Sequence, residues 1–282
     1  MTGFSEISSP TSSIGHVASA DGTRIALERY GPAVGSDPPL VLVHAAMRHR
    51  ANDPQTSDLA RRVAARGHTA VVYDRRGRGG SGSAPTDPTD ERILDREVED
   101  LAAVVDHVGG RAAVLASSSG AVLALWAAAS DIGIERLVMW EAPLALEGQG
   151  DGGAFLDDLR RLQAAGDREG LIRHYMSGMP PEWLAGLRSS PEWPDYLAVA
   201  PTLVHDAAAL HEADLRPWSD QWSGVRIPVL ALSGEETLPF FPVVCEALAA
   251  ALPDAHSERL AGAGHGWDAD AMTDRLVTFL AG

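Results

Sequence analysis

Residues 113–129, AVLASSSGAVLALWAAA, join two apolar runs through three consecutive serines and a glycine. The first run reads as a strand over 111–117 and the second as a helix beginning after Gly120. Three hydroxyls between two buried elements have two readings. They cap the helix, or one of them is a nucleophile held on a sharp corner. In a parallel sheet, chemistry gathers at the carboxyl ends of strands, where this corner lies. A nucleophile there needs small residues two positions before and two positions after it, because their backbones nearly touch. Centring on Ser118 puts Ala116 and Gly120 at those positions. Centring on Ser117 puts Leu115 there, and centring on Ser119 puts Ser117 and Ala121 there, without a glycine. Ser118 is therefore the candidate nucleophile.

Outward from this corner the chain alternates strand and helix. HVASADGTRIALERYG (16–31) reads as two strands about an Asp21-Gly22 turn. Apolar runs at 39–44, 69–74, 134–141 and 227–233 have the continuity of strands buried on both faces, and a shorter strand is expected at 256–260. Helices are expected near 55–66, 90–108 and 268–280. This order predicts an α/β fold, a mostly parallel sheet flanked by helices on both sides. The interval 143–221 breaks the rhythm with helical periodicity alone, and reads as a helical lid inserted after the sixth strand. The expected core is then 15–142 with 222–282, behind a flexible tail at 1–14, and SAPTDPTD (83–90) is expected as a surface loop.

Composition narrows the class. The 282 residues are 45% hydrophobic, carry a net charge of −16 and contain no lysine, all 23 basic residues being arginine. That charge argues against a nucleic-acid partner. The single cysteine, Cys245, excludes an internal disulfide and reads as a buried structural thiol. The N-terminus has neither the basic start nor the apolar stretch of a signal peptide, and no apolar run reaches the roughly 18 residues that span a bilayer. A cytoplasmic protein with no membrane partner is the expectation. The histidines show no metal-ligand spacing, so no metal or cofactor is expected.

A serine hydroxyl becomes nucleophilic when a base takes its proton. His265, between small residues in LAGAGHGWDADA (260–271), stands just past the strand at 256–260 and is the candidate base. His44 and His49 lie near a strand end but precede the serine.

Together LVHAAM (42–47), YDRRGRGGSG (73–82), ASSSGA (116–121) and AGHGW (263–267) resemble the α/β-hydrolase superfamily over nearly the whole chain. The resemblance implies Ser118 as nucleophile and His265 as general base. It implies an oxyanion hole from the backbone N–H groups of Ser119 and Ala46, with Ala45 where the family usually has glycine. It also implies structural roles for Asp74, Arg75 and Ser81. Two acids remain open. Most of the superfamily places an aspartate after the strand at 227–233, where this chain has Thr237, with Glu235 and Glu236 nearby. Others place it at the end of the preceding strand, where LVMWEAPL supplies Glu141, as in short-lidded bacterial serine hydrolases. Glu141 is the expected acid and Glu236 the alternative; the other reading of Glu141 is an ion pair with Arg136 or Arg48.

Acyl transfer to Ser118 and hydrolysis of an ester, thioester or lactone follow from this reading. Met47, Met176, Trp183 and Trp267 are the expected contacts to a small apolar or aromatic substrate, although helical aromatic residues also pack a lid onto a sheet. Arg48, His49 and Arg50 read as solvated surface, with capture of a substrate carboxylate as the alternative. A lyase, cyclase or perhydrolase on the same scaffold, or a silent ligand-binding homologue, remain as other readings.

Overall fold

The structure is a computed structural model that describes residues 12–32, 38–82 and 92–281. Nine strands form one sheet: β1 (Ser12–Ala18), β2 (Arg24–Tyr30), β3 (Leu40–Val43), β4 (Ala70–Tyr73), β5 (Ala112–Ser117), β6 (Ile134–Trp140), β7 (Val229–Glu236), β8 (Ala255–Ala263) and β9 (Gly266–Trp267). Their order across the sheet is β1-β2-β4-β3-β5-β6-β7-β8-β9. The run from β4 to β8 is parallel throughout. The β1–β2 hairpin and the short β9 add antiparallel edges.

The helices are α1 (Pro54–Ala65), α2 (Ile93–His107), α3 (Ser119–Ala129), α4 (Ala154–Ala164), α5 (Arg168–Tyr175), α6 (Pro181–Ser189), α7 (Trp193–Val199), α8 (Leu203–Ala213), α9 (Trp218–Gln221), α10 (Phe240–Ala251) and α11 (Ala269–Ala281). Alternation along each strand divides the core between the two faces of the sheet. Leu40 and Leu42 pack with Leu59 and Val63 of α1 and Leu276 of α11. Val41 and Val43 pack on the other face with Leu101 and Val104 of α2, Val122 of α3 and Leu248 of α10. Burying each of these aliphatic side chains contributes about 1.5–3 kcal/mol, and this two-sided core fixes where the strand ends, and hence the site, can lie.

Some boundaries differ from the sequence expectation. The tail was expected to run to residue 14, but residues 12–14 pair in β1 opposite β2, and the remainder of the tail lies outside the described residues. The expected loop at 83–90 also lies outside them. The strand expected at 227–233 runs on to Glu236, and that at 256–260 extends to Ala263, because the two continue to pair past Gly234.

Between β6 and β7 the described chain is helical, α4 to α9, with no strand. Leu156, Leu159, Leu171, Ile172, Leu203 and Val204 form a third apolar cluster there, and Met47, from the loop after β3, packs into it. The final part of this interval belongs to the main core: Ala209, Ala213 and Trp218 pack in the same cluster as Trp222 and Val225.

Candidate active site

Ser118 occupies the corner between β5 and α3 with φ 54° and ψ −129°, a conformation that non-glycine residues rarely hold. Its N–H donates to the Trp140 carbonyl at 2.8 Å, which ties the corner to the end of β6. Gly120 explains the second half of the motif. A Cβ there would stand 2.4 Å from the His44 carbonyl oxygen, so only glycine lets α3 start this close to the loop after β3.

Glu141 follows β6 directly, with φ 47°, and is fully buried. Its N–H donates to the Leu232 carbonyl at 2.9 Å, and its Oε1 accepts from Gly234 N–H at 2.9 Å. Its Oε2 makes a hydrogen bond with Nδ1 of His265. Burial alone would raise this carboxyl's pKa. The hydrogen bonds from His265 and Gly234, with the Thr237 side chain close by, outweigh burial and hold it below the ordinary value. Because the carboxylate is acceptor-only, the proton of that bond sits on Nδ1 and leaves Nε2 as the basic nitrogen. Glu236, the alternative acid, is exposed and makes no side-chain hydrogen bond to the imidazole. The arginines considered as partners of Glu141 lie elsewhere, Arg136 over the Phe279 ring and Arg48 over the Tyr196 ring.

His265 sits between β8 and β9 with φ 75°. Its ring stacks on Phe241 at 5.0 Å and on Trp183 at 6.0 Å between centroids. His265 and Ser118 line the same cavity, and no direct hydrogen bond joins them. Met47, Ser118, Glu141 and His265 account for four of the five non-glycine residues with positive φ among those described. Such strain persists where the surroundings over-determine it, and it concentrates at functional sites. In the loop after His44 the positive φ falls on Met47 and not on Ala45, which is why alanine is accommodated in the position where glycine is usual. The Ala46 and Ser119 N–H groups have no protein acceptor among the described residues, and both stand beside the Ser118 corner.

The cavity has a volume of about 510 Å³. Ala46, Met47, Met176, Trp183 and Trp267, all singled out from sequence, line it with Ser118 and His265. Ser119 and Glu141 lie behind this surface. Sequence reasoning missed Gln55, Leu187 and Tyr196, which also line it; nothing in their local sequence marks them. It left Phe241 unassigned, although this buried ring supports the imidazole. The reading of residues 48–50 as solvated surface is corrected. His49 is buried and bonded to Asp195 at 2.6 Å, and Arg50 pairs with Asp74 at 3.0 Å. Arg48 is half-buried, lines the cavity and donates to the Tyr196 hydroxyl at 2.6 Å.

The loop at 73–82 is held from within, Ser81 Oγ donating to the Asp74 carbonyl and accepting from Ala26 N–H at 2.9 Å. Asp53 caps α1, accepting from Thr56 N–H at 3.2 Å, and its other oxygen bonds His44 Nδ1 at 2.9 Å. Burial would raise its pKa, but the His44 and Thr56 contacts lower it to about 2. Cys245 is buried beside Ser233, and burial pushes its thiol up to about 12. Among the described residues no group of three or more His, Cys, Asp or Glu side chains is placed to hold a metal ion, and no helix is long and apolar enough to cross a membrane.

A sequence model of the Alpha/beta hydrolase family matches residues 40–279. The fold superposes on the crystal structure of an alpha/beta hydrolase from Sphaerobacter thermophilus with a TM-score of 0.80 and 36% identity, covering 94% of this chain and 99% of that one. An enol-lactonase from Burkholderia xenovorans aligns over 95% of this chain and 100% of its own, with a TM-score of 0.66 and 23% identity. An esterase from Rhodococcus aligns over 95% and 98%, with a TM-score of 0.64 and 20% identity. A search of curated proteins found no match. The chain belongs to the Alpha/beta hydrolase family. Hydrolase is accordingly its enzyme class.

Proposed function

We propose that the protein is a serine hydrolase that cleaves an ester, thioester or lactone of a small apolar or aromatic substrate through an acyl-enzyme on Ser118. The observation that carries this reading is the buried Glu141 carboxylate bonded to His265 Nδ1, on the wall of the cavity that also exposes Ser118. Nε2 of His265 takes the Ser118 proton as Oγ adds to the substrate carbonyl. The N–H groups of Ala46 and Ser119 receive the oxyanion, supported by the N-terminus of α3. When the carbonyl re-forms, the bond to the leaving group breaks and the leaving atom takes the proton from Nε2. Water then adds to the acyl group, giving its proton to Nε2, and Ser118 leaves with that proton as the acid is released. Hydrogen bonds of this kind are commonly long in the free enzyme and tighten once substrate binds, so the open Ser118–His265 contact is compatible with the sequence of steps.

Met47, Met176, Trp183 and Trp267 make the cavity mainly apolar, which favours an apolar or aromatic acyl or alcohol portion. Residues 143–221 would act as its helical cover, with Tyr175 at the end of α5 and Trp183 and Leu187 of α6 in the cavity lining. The test is labelling with a fluorophosphonate probe, with mass-spectrometric location of the adduct, followed by an acyl-chain series of 4-nitrophenyl esters. The adduct is expected on Ser118 and absent from Ser118→Ala, with turnover favouring short or aromatic acyl groups. An unmodified Ser118, or ester turnover undiminished in Ser118→Ala, rejects the reading.

A further inference from the structure

Behind Ser118 lies a buried group of charges that the reaction above does not use. Asp206, from α8, is fully buried, as are Arg75, Arg78 and Glu97 to within a few per cent. Asp206 Oδ1 accepts from Arg75 Nη1 at 2.6 Å, and Oδ2 from Arg78 Nη2 at 2.7 Å. Arg75 Nε donates in turn to Glu97 at 2.7 Å, and Glu97 meets His205 Nδ1 at 3.1 Å. Two guanidiniums and two carboxylates balance, which allows the group to stay charged away from water. Two further bonds leave it toward the site. The Ser119 hydroxyl donates to Asp206 Oδ1 at 2.8 Å, and Arg78 Nη1 donates to the Ala45 carbonyl at 2.8 Å. Arg78 is also fixed through Nε on the Thr202 hydroxyl at 3.1 Å.

These two bonds end on the two chain segments that carry Ala46 and Ser119. We propose that Asp206 is a positioning residue, which, with Arg78 as its second arm, sets the separation of the two oxyanion-hole N–H groups. The proposal rests on the reading of Ser118 as the nucleophile. Ser119 does not line the cavity, so its hydroxyl acts through the backbone and not on substrate. An unpaired carboxylate so close to residue 119 would oppose the charge developing on the substrate oxygen. Arg75 and Arg78 cancel it, leaving Asp206 to orient Ser119 without that electrostatic cost. The helical interval thereby has a second task besides covering the cavity: α8 supplies the anchor for the catalytic backbone. Displacing an oxyanion donor lowers turnover, and removing one outright costs roughly 100- to 1,000-fold, so a slackened donor is expected to cost less, about tenfold.

The decisive variant is Ser119→Ala, which keeps every backbone N–H and every ion pair. Its fluorophosphonate labelling rate and its kcat on 4-nitrophenyl butyrate are expected to fall about tenfold, with KM and Tm close to those of the parent. Arg78→Met loosens the other arm and is expected to lower kcat further; where it does not fold, Ser119→Ala decides alone. Labelling rate and kcat within twofold of the parent overturn the proposal. So does a change confined to KM, or a fall in Tm with kcat intact. A parent in which the probe does not modify Ser118 removes instead the serine-nucleophile reading on which the proposal rests.

Discussion

The Glu141 carboxylate reaches Nδ1 of His265 from the end of β6, while the end of β7, its neighbour in the sheet, presents Thr237 beside the same carboxylate. Adjacent parallel strands end side by side, so a carboxylate on either one can address the imidazole, provided the other end leaves room. Gly234 makes that room: it donates its N–H to Glu141 Oε1, and a Cβ there would stand 3.2 Å from the same oxygen.

Replacing Glu141 by glutamine is therefore expected to be nearly isosteric and strongly damaging. The Gln oxygen keeps the Gly234 bond, and its NH₂ then faces Nδ1 as a donor. This forces the proton onto Nε2, the nitrogen that the proposed mechanism uses as base. A wrong-tautomer loss of about 10³- to 10⁴-fold in kcat is expected, with Tm little changed. Glu236→Gln is expected to stay within twofold, since that side chain is exposed. Steady-state turnover of both variants checks this, and the reverse ranking assigns the acid to Glu236.

The grouping of Ser118, His265 and Glu141 as a candidate site could be read because each carries a local mark: a small-residue frame, a strand-end histidine in a glycine-rich turn, a carboxylate closing an apolar run. The alternation of elements made the parallel sheet readable for the same reason, that strand and helix impose different periods. The contact between Ser119 and Asp206 spans 87 positions, and nothing local at Asp206 distinguishes it from an exposed helical aspartate. Phe241 escaped likewise, since an aromatic in an apolar helix does not announce which ring it will meet. His49 looked solvated between two arginines, yet the partner that buries it, Asp195, comes from the distant helix α7.

Gly120→Ala tests the corner itself. Its methyl group would meet the His44 carbonyl at 2.4 Å, and neither backbone can yield without moving Ser118 or the Ala46 loop. A shift near 1 Å at the reacting centre costs on the order of 100-fold, so kcat/KM is expected to fall at least that far. Overpacking is expected to lower stability by about 1–3 kcal/mol, leaving a folded protein to assay. Circular dichroism and ester turnover on one preparation separate the two effects. A fully active Gly120→Ala would mean that the two backbones can part without cost.

The rings around His265 divide into two roles. Phe241 stacks on the imidazole but does not line the cavity, whereas Trp183 does both. A π-face beside a charged imidazole contributes about 0.5–1 kcal/mol. Phe241→Leu is expected to lower kcat about twofold to fivefold with KM unchanged, the equivalent of that energy. Trp183→Leu is expected to raise KM as well, because it removes part of the apolar wall. Equal effects of both variants on KM would contradict the division.

Acid stability supplies a test at Asp53, which joins the cap of α1 to His44 at the end of β3. Its carboxyl is lowered from 3.8 to about 2 by those contacts, against the opposing effect of burial. A depressed carboxylate contributes stability that is complete above its unfolded value and lost as pH falls through the folded one. The relevant window is thus from about pH 4 down to about pH 2, and the linkage corresponds to about 2 kcal/mol. Asp53→Asn keeps an acceptor for Thr56 N–H but cannot titrate. Urea unfolding at pH 7 is expected to show the variant less stable by about that amount, with the gap narrowing steadily at pH 4, 3 and 2. A gap that stays constant across the series would assign the loss to altered packing at the cap, and the hydrogen bond with His44 would then carry none of it.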